Sequence, residues 1–307
     1  MDALTNPYTP NAGAQPSAIV GRDDQLSSFE LLLGRLQRGR SEQSMIITGL
    51  RGVGKTVLLG QFRKTALEHN WTVVELEVSK HDEFAFRREL GSKLRTALFE
   101  LSPKARWSAR MNHAAGVLKS FTINIDETGS LSAGLNVDAV LGKADHQDLA
   151  LDLCDVFVSL GEAALEAGSG VVLLFDEIQF LSPLQLEALI EALHKVVQRG
   201  LPITLVGVGL PQIAELAGDA KSYAERLFKF PTIGNLNTED AKSALIQPAE
   251  GEGVIFDDDA LERAVEITGG YPYFLQELGY AVWTTAQEDR IRLDDIETVL
   301  PAYEGKL

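Results

Sequence analysis

The chain has 307 residues, 45% of them hydrophobic and 23% charged, with a formal net charge of −16. That length suggests one large domain or two modest ones, and the composition is that of a soluble globular protein rather than a disordered one. No apolar run approaches the roughly 18–20 residues a membrane span needs, the opening MDALTNPYTPNAGAQPS lacks the basic and apolar segments of a signal peptide, and a single cysteine, Cys154, excludes an intrachain disulfide and points to a reducing, cytoplasmic setting.

The charge is uneven. Residues 1–119 hold 17 Lys and Arg against 12 Asp and Glu, and residues 120–307 hold 11 against 32, so the two parts carry +5 and −21. A uniformly acidic chain would bind nucleic acid poorly, but here only the second part is acidic.

Residues 1–18, rich in Pro, Asn, Gly and Ala, read as an irregular arm. Leu26, Phe29, Leu32, Leu33 and Leu36 then recur at helical spacing. Met45–Thr48 is a short apolar run entering a glycine-rich segment and predicts a buried strand. A helix over Val57–Asn70 and a β-branched strand over Thr72–Val78 complete a βαβ unit, which implies a parallel sheet. Asp82–Leu101 reads as an amphipathic helix. Residues 102–145 break the rhythm: alternating runs at Phe121–Ile125 and Leu131–Val137 around Asp126–Gly129 predict a β-hairpin insertion. Helices follow over Asp148–Ala167 and Leu184–Val197, with buried strands at Val171–Phe175 and Ile203–Val208 and a short last strand at Phe228–Phe230. After Asn235 the pattern predicts helices only: one capped by Thr238 and ended by Pro248, one from Asp257 to Gly269–Gly270, one over Pro272–Ala286, and one opened by the capping-box-like Asp294 and Glu297.

Gly49-Leu50-Arg51-Gly52-Val53-Gly54-Lys55-Thr56 matches GxxxxGK[ST] in full, after a predicted strand and before a predicted helix. Its glycines let backbone N–H groups from Gly49 to Val57 converge on phosphate, aided by the helix N-terminus. Lys55 is placed to neutralise β- and γ-phosphate oxygens and Thr56 to ligate Mg²⁺. Arg51 is a variable motif position expected to face solvent. The apolar strand Val171–Phe175 leads into Asp176-Glu177. At the carboxyl end of a parallel strand, Asp176 suits a Mg²⁺ ligand and Glu177 a group that orients the attacking water.

With these two motifs the chain resembles the P-loop NTPases, and within them the AAA+ and STAND-like ATPases of the origin-recognition initiator type. Ile19-Val20-Gly21-Arg22-Asp23 is similar to the segment that packs near adenine in those proteins, and Asn6-Pro7-Tyr8-Thr9-Pro10 to their opening arm. Tyr223-Ala224-Glu225-Arg226-Leu227-Phe228 sits where such proteins carry an arginine finger, and Gly269-Gly270-Tyr271-Pro272 is similar to the GxP of their lid. The resemblance implies an α/β fold, with a parallel five-stranded P-loop sheet and flanking helices over residues 19–235 and a helical lid over 236–307. It implies ATP and Mg²⁺ as cofactors, Val20, Gly21 and Pro272 on the adenine side, and Arg226 as a finger acting in a neighbouring copy, hence an ATP-dependent homo-oligomer. The alternative for Arg226 is an ordinary solvated arginine beside Glu225.

Two departures stand out. The fourth strand ends Leu205-Val206-Gly207-Val208-Gly209-Leu210-Pro211, without the polar sensor residue usual there. The lid stretch Tyr271–Gln276 lacks the usual arginine. Both imply slow turnover, closer to a switch than a motor. Three readings stay open: a switch ATPase regulating or assembling an unidentified protein partner, an initiator-like DNA-associated ATPase whose winged-helix domain is absent or truncated, and a nucleotide-binding module with negligible turnover. Residues 87–119 carry a net +6 with Phe99 and Trp107 among the charges. They suit a DNA contact, although a charged helix face opposing the acidic second part of this chain, or of a neighbouring subunit, is favoured. The five histidines lack metal-ligand spacing, and Cys154 lies among apolar residues of a predicted helix, where core packing is favoured over a nucleophile. No guanine-reading NKxD motif is present, which favours ATP over GTP.

Overall fold

Three strands carry the centre of the fold, and every residue of two of them is buried. In the computed structural model, which describes residues 1–11, 13–80, 82–102, 107–123 and 134–305, a five-stranded sheet forms from β1 (Ser44–Thr48), β2 (Thr72–Glu77), β3 (Val171–Asp176), β4 (Ile203–Gly209) and β5 (Phe228–Lys229). The order is β2-β3-β4-β1-β5, and every pairing is parallel. β1 and β4 are buried along their whole length, as inner strands covered on both faces must be. β2, at an edge, alternates buried and exposed residues.

The helices are α1 (Asp23–Gln37), α2 (Lys55–Glu68), α3 (Glu83–Leu101), α4 (Ala109–Ile123), α5 (Leu149–Glu166), α6 (Pro183–Gln198), α7 (Ile213–Ala220), α8 (Ala224–Leu227), α9 (Thr238–Gly251), α10 (Asp258–Thr268), α11 (Pro272–Thr285) and α12 (Leu293–Glu304). Their starts follow local chemistry. Asp82 and Asp148 accept from the backbone N–H groups of Ala85 and Leu151, at 2.8 and 3.0 Å. Ser182 and Gln185 form a reciprocal capping box with Pro183 at the first helical position.

The chain separates into two compact units that do not follow it linearly. One comprises residues 27–48 and 61–232, the other residues 1–26, 49–60 and 233–307. The first contains the whole five-stranded sheet and a core from Ile46 to Phe228. The second has its own core of Tyr8, Leu245, Leu275, Leu278, Trp283, Ile296 and neighbours. Tyr8, from the segment expected to be irregular, is buried there. Its hydroxyl donates to the Leu245 carbonyl at 2.5 Å, and Gly279 makes room for its ring, since a Cβ at that glycine would lie 2.6 Å from the ring.

Several expectations are corrected. Phe121-Thr122-Ile123 is not the first arm of a hairpin but the last turn of α4, and the remainder of the expected hairpin through Ala133 lies outside the described residues. The alternation was a local accident within a helical period: Met111, Ala114, Ala115, Leu118, Phe121 and Thr122 are all buried, and Thr122 Cγ2 packs where Gly91 of α3 has no side chain. Residues 134–137 contain no strand. The region after Asn235 is not helical throughout: Ile255–Phe256 (β6) and Arg290–Ile291 (β7) pair in parallel. Each holds only two residues, too few to show a period. Asn237, not Thr238, caps α9 by accepting from the Asp240 N–H at 2.8 Å. Pro248 lies inside α9, where only the last turn follows it. The last helix begins at Leu293, with Arg292 N–H donating to Asp295 rather than a box at Asp294.

Candidate nucleotide site

The loop between β1 and α2 belongs to the unit containing the C-terminal helices. Gly52 and Gly54 have φ of +78° and +91°, a region that strains any other residue. Gly52 is not a fixed position of the motif. A Cβ there would lie 2.9 Å from Tyr271 Cε1 and 3.1 Å from Tyr273 Cβ, so its identity is set by packing as well as by torsion. Val53 is buried, and Arg51 and Thr56 are exposed. Gly49 is buried against Ile233, whose carbonyl oxygen would lie 2.5 Å from a Cβ.

Three successive carbonyls of this loop accept from donors outside it. Tyr271 Oη donates to Arg51, the Tyr273 N–H donates to Gly52 at 3.1 Å, and Arg22 Nη2 donates to Val53 at 3.1 Å. A trans peptide sets its N–H opposite its carbonyl. The N–H groups of Gly52, Val53 and Gly54 therefore point away from these donors. Successive backbone N–H groups of this kind can form an anion-binding concavity. Lys55 is buried, with Nζ donating to the Gly49 and Leu50 carbonyls at 3.0 and 2.8 Å. α2 has no acidic residue in its first turn. The lysine, the glycine torsions and the tied-back carbonyls all fit a polyphosphate.

Arg22 also donates to Gly21 O at 3.0 Å and Gly234 O at 2.7 Å. Burial lowers its pKa, and the Asp240 carboxylate opposes that. Gly21, at φ +67°, has no space for a side chain, because a Cβ would lie 2.6 Å from Asp240 Oδ2. Val20 packs on the core of this unit, and Pro272 occupies the first position of α11.

In the other unit β3 ends at Asp176, whose Oδ1 accepts from the Glu177 N–H at 2.7 Å. Glu177 adopts φ +51°, ψ +38°, a left-handed conformation that costs a non-glycine residue about 1–3 kcal/mol. A 3₁₀ turn, Ile178–Phe180, follows. Arg226 is exposed on α8, immediately before β5.

The AAA ATPase domain family matches residues 18–206. The chain belongs to this family. Its fold is similar to that of Orc1 from Aeropyrum pernix in complex with DNA, at 16% identity and a TM-score of 0.50, over 94% of this chain and 67% of that one. It is also similar to Cdc6p from Pyrobaculum aerophilum, at 15% identity and a TM-score of 0.56 over 98% and 67% of the two chains. The RuvB Holliday junction branch migration motor of Thermotoga maritima aligns at 16% identity and a TM-score of 0.52 over 92% and 69%. No curated protein sequence matches the chain. As in other AAA ATPase domains, the sheet is parallel and five-stranded. Among the described residues no helix is long and apolar enough to cross a membrane.

Sequence reasoning named the loop and the acidic pair but gave no role to Arg22, Tyr271, Tyr273 or Gln179. Their long-range contacts to Val53, Arg51, Gly52 and Leu210 join residues 31 to 221 positions apart, and no local pattern announces such partners. The glycines at 207 and 209 were the one available signal for Gln179, since they left the strand tip bare. Among the basic residues 87–119, Arg87 is buried and bonded to Glu83 at 2.8 Å and Asp152 at 2.7 Å, with its guanidinium 5.3 Å from the Phe121 ring centre. Asp152 lies in the acidic second part of the chain. Lys104 and Arg106 lie outside the described residues. Cys154 packs partly buried against the core, and burial pushes its thiol up to about 11.

Proposed function

We propose that this AAA ATPase domain binds ATP with Mg²⁺ and hydrolyses it slowly, as a conformational switch that regulates or assembles a partner complex. The observation that carries the reading is the loop at residues 49–56, with three outward-tied carbonyls and the buried Lys55 bonded to the Gly49 and Leu50 carbonyls. In this reading the backbone from Gly49 to Val57 and Lys55 hold the phosphates, and Thr56 and Asp176 are the Mg²⁺ ligands. Mg²⁺, when bound, neutralises charge that develops between the β- and γ-phosphates. Glu177 orients the attacking water and accepts its proton. Val20, Gly21 and Pro272 line the adenine side. Arg226 acts in the site of a neighbouring copy, which its exposure supports.

The burial of Arg87 on Asp152 supports the reading of residues 87–119 as an internal charged face over a DNA contact. The test is a pair of substitutions read by ATP binding and phosphate release. Glu177→Gln should abolish turnover and keep ATP bound, and Lys55→Ala should lose ATP. Wild-type protein that binds ATP without turnover would leave a nucleotide-binding module. Retained affinity in Lys55→Ala would overturn the site.

A further inference from the structure

The tip of β4 carries glycine where related enzymes carry a polar side chain, and the structure fills that place from another element. Gln179, two residues beyond Glu177, turns its carboxamide between the two. Its Oε1 accepts from the Leu210 N–H at 3.1 Å, and its Nε2 donates to Glu177 Oε2. The two bonds are not independent. Because the backbone N–H of Leu210 is a donor only, it fixes which end of the amide faces β4, and the NH₂ end must then face Glu177.

The strand has been cleared for this side chain. A Cβ on Gly209 would lie 2.6 Å from Gln179 Oε1 and 2.9 Å from Ile178 Cγ2, and a Cβ on Gly207 would lie 2.5 Å from Ile178 Cδ1. A serine, threonine or asparagine at position 209 would collide with the amide that already serves the position. Glu177 meanwhile sits in a left-handed conformation that needs external support.

We propose that Gln179 is the positioning residue of Glu177, coupling the carboxylate that orients water to the end of β4 in place of a sensor side chain on that strand. The inference rests on the role assigned to Glu177. A shift of the β4 tip moves Oε1, and the rigid amide carries the carboxylate with it.

The test uses the full chain with Gln179→Met, Gln179→Glu and Glu177→Ala, read by steady-state ATP turnover, ATP affinity and the side-chain amide resonances of Gln179. Gln179→Met should lower kcat at least tenfold with ATP affinity within twofold of wild type. Gln179→Glu keeps the acceptor for Leu210 and loses the donor to Glu177, so it should show the same split, and it serves if the methionine variant does not fold. In the Glu177→Ala protein the Gln179 amide resonances should move. Turnover within twofold of wild type in a folded variant, or equal losses in kcat and affinity, would overturn the inference. If wild type itself does not turn over, hydrolysis fails as a function, and the resonances decide alone: a shift in Glu177→Ala sustains the coupling, and unmoved resonances reject it.

Discussion

Arg22 Nη2 donates to the carbonyl of Val53 at 3.1 Å and to that of Gly234 at 2.7 Å, so one guanidinium ties the phosphate loop to the segment leading into α9. The bond fixes the peptide whose N–H belongs to Gly54, and Arg22 is a structural part of the loop without being part of its motif.

Arg22→Ala should therefore weaken ATP binding about tenfold, roughly 1.4 kcal/mol, by freeing one wall of the loop. Lysine at this position should restore little, because a single ammonium cannot reach three carbonyls in the plane that the guanidinium spans. Calorimetric titration with ATP checks both variants, and unchanged affinity in the alanine variant would refute the role.

The Arg87–Asp152 pair joins α3 to α5 with both side chains buried. Removing one partner strands the other charge. Arg87→Met or Asp152→Leu alone should cost about 3–5 kcal/mol, while the double substitution should recover most of it. Urea unfolding of the three variants measures the coupling. Single variants as stable as wild type, or a double variant no more stable than either single, would refute the coupling.

Tyr8 gives a prediction in pH. Burial pushes the pKa of its phenol well above the ordinary tyrosine value near 10. The sign is that of a group more easily kept neutral in the folded state. Its contribution is complete below the unfolded pKa near 10 and is lost as pH rises beyond it, where only the unfolded chain ionises readily. Tyr8→Phe should lose about 1 kcal/mol at neutral pH with the hydroxyl's bond to Leu245, and should lose stability less steeply than wild type between pH 10 and 11.5. Unfolding temperatures across that range test it. Parallel pH curves for the two proteins would contradict it.

The amino-acid sequence by itself determined the elements that are local in cause. A loop whose glycines, lysine and threonine stand at fixed spacing, strands buried on both faces, and helices begun by Asp82 and Asp148 need no distant partner to be recognised. The acidic pair was legible for the same reason, since an apolar run ending in two carboxylates places them at a strand's end. Where a local pattern was short or ambiguous, it misled. Phe121–Ile123 alternates like a strand and lies in a helix, because the face of α4 that packs against α3 decides the period. Only the tertiary structure decided what surrounds the site. Tyr271 and Tyr273 reach the loop from more than 200 positions away, Tyr8 is buried by helices near the other end of the chain, and Gln179 accepts from the Leu210 N–H just beyond β4. Each of these depends on closing a long stretch of chain, and the energy that selects the partner comes from packing and from satisfying buried polar groups, which are properties of the assembled fold.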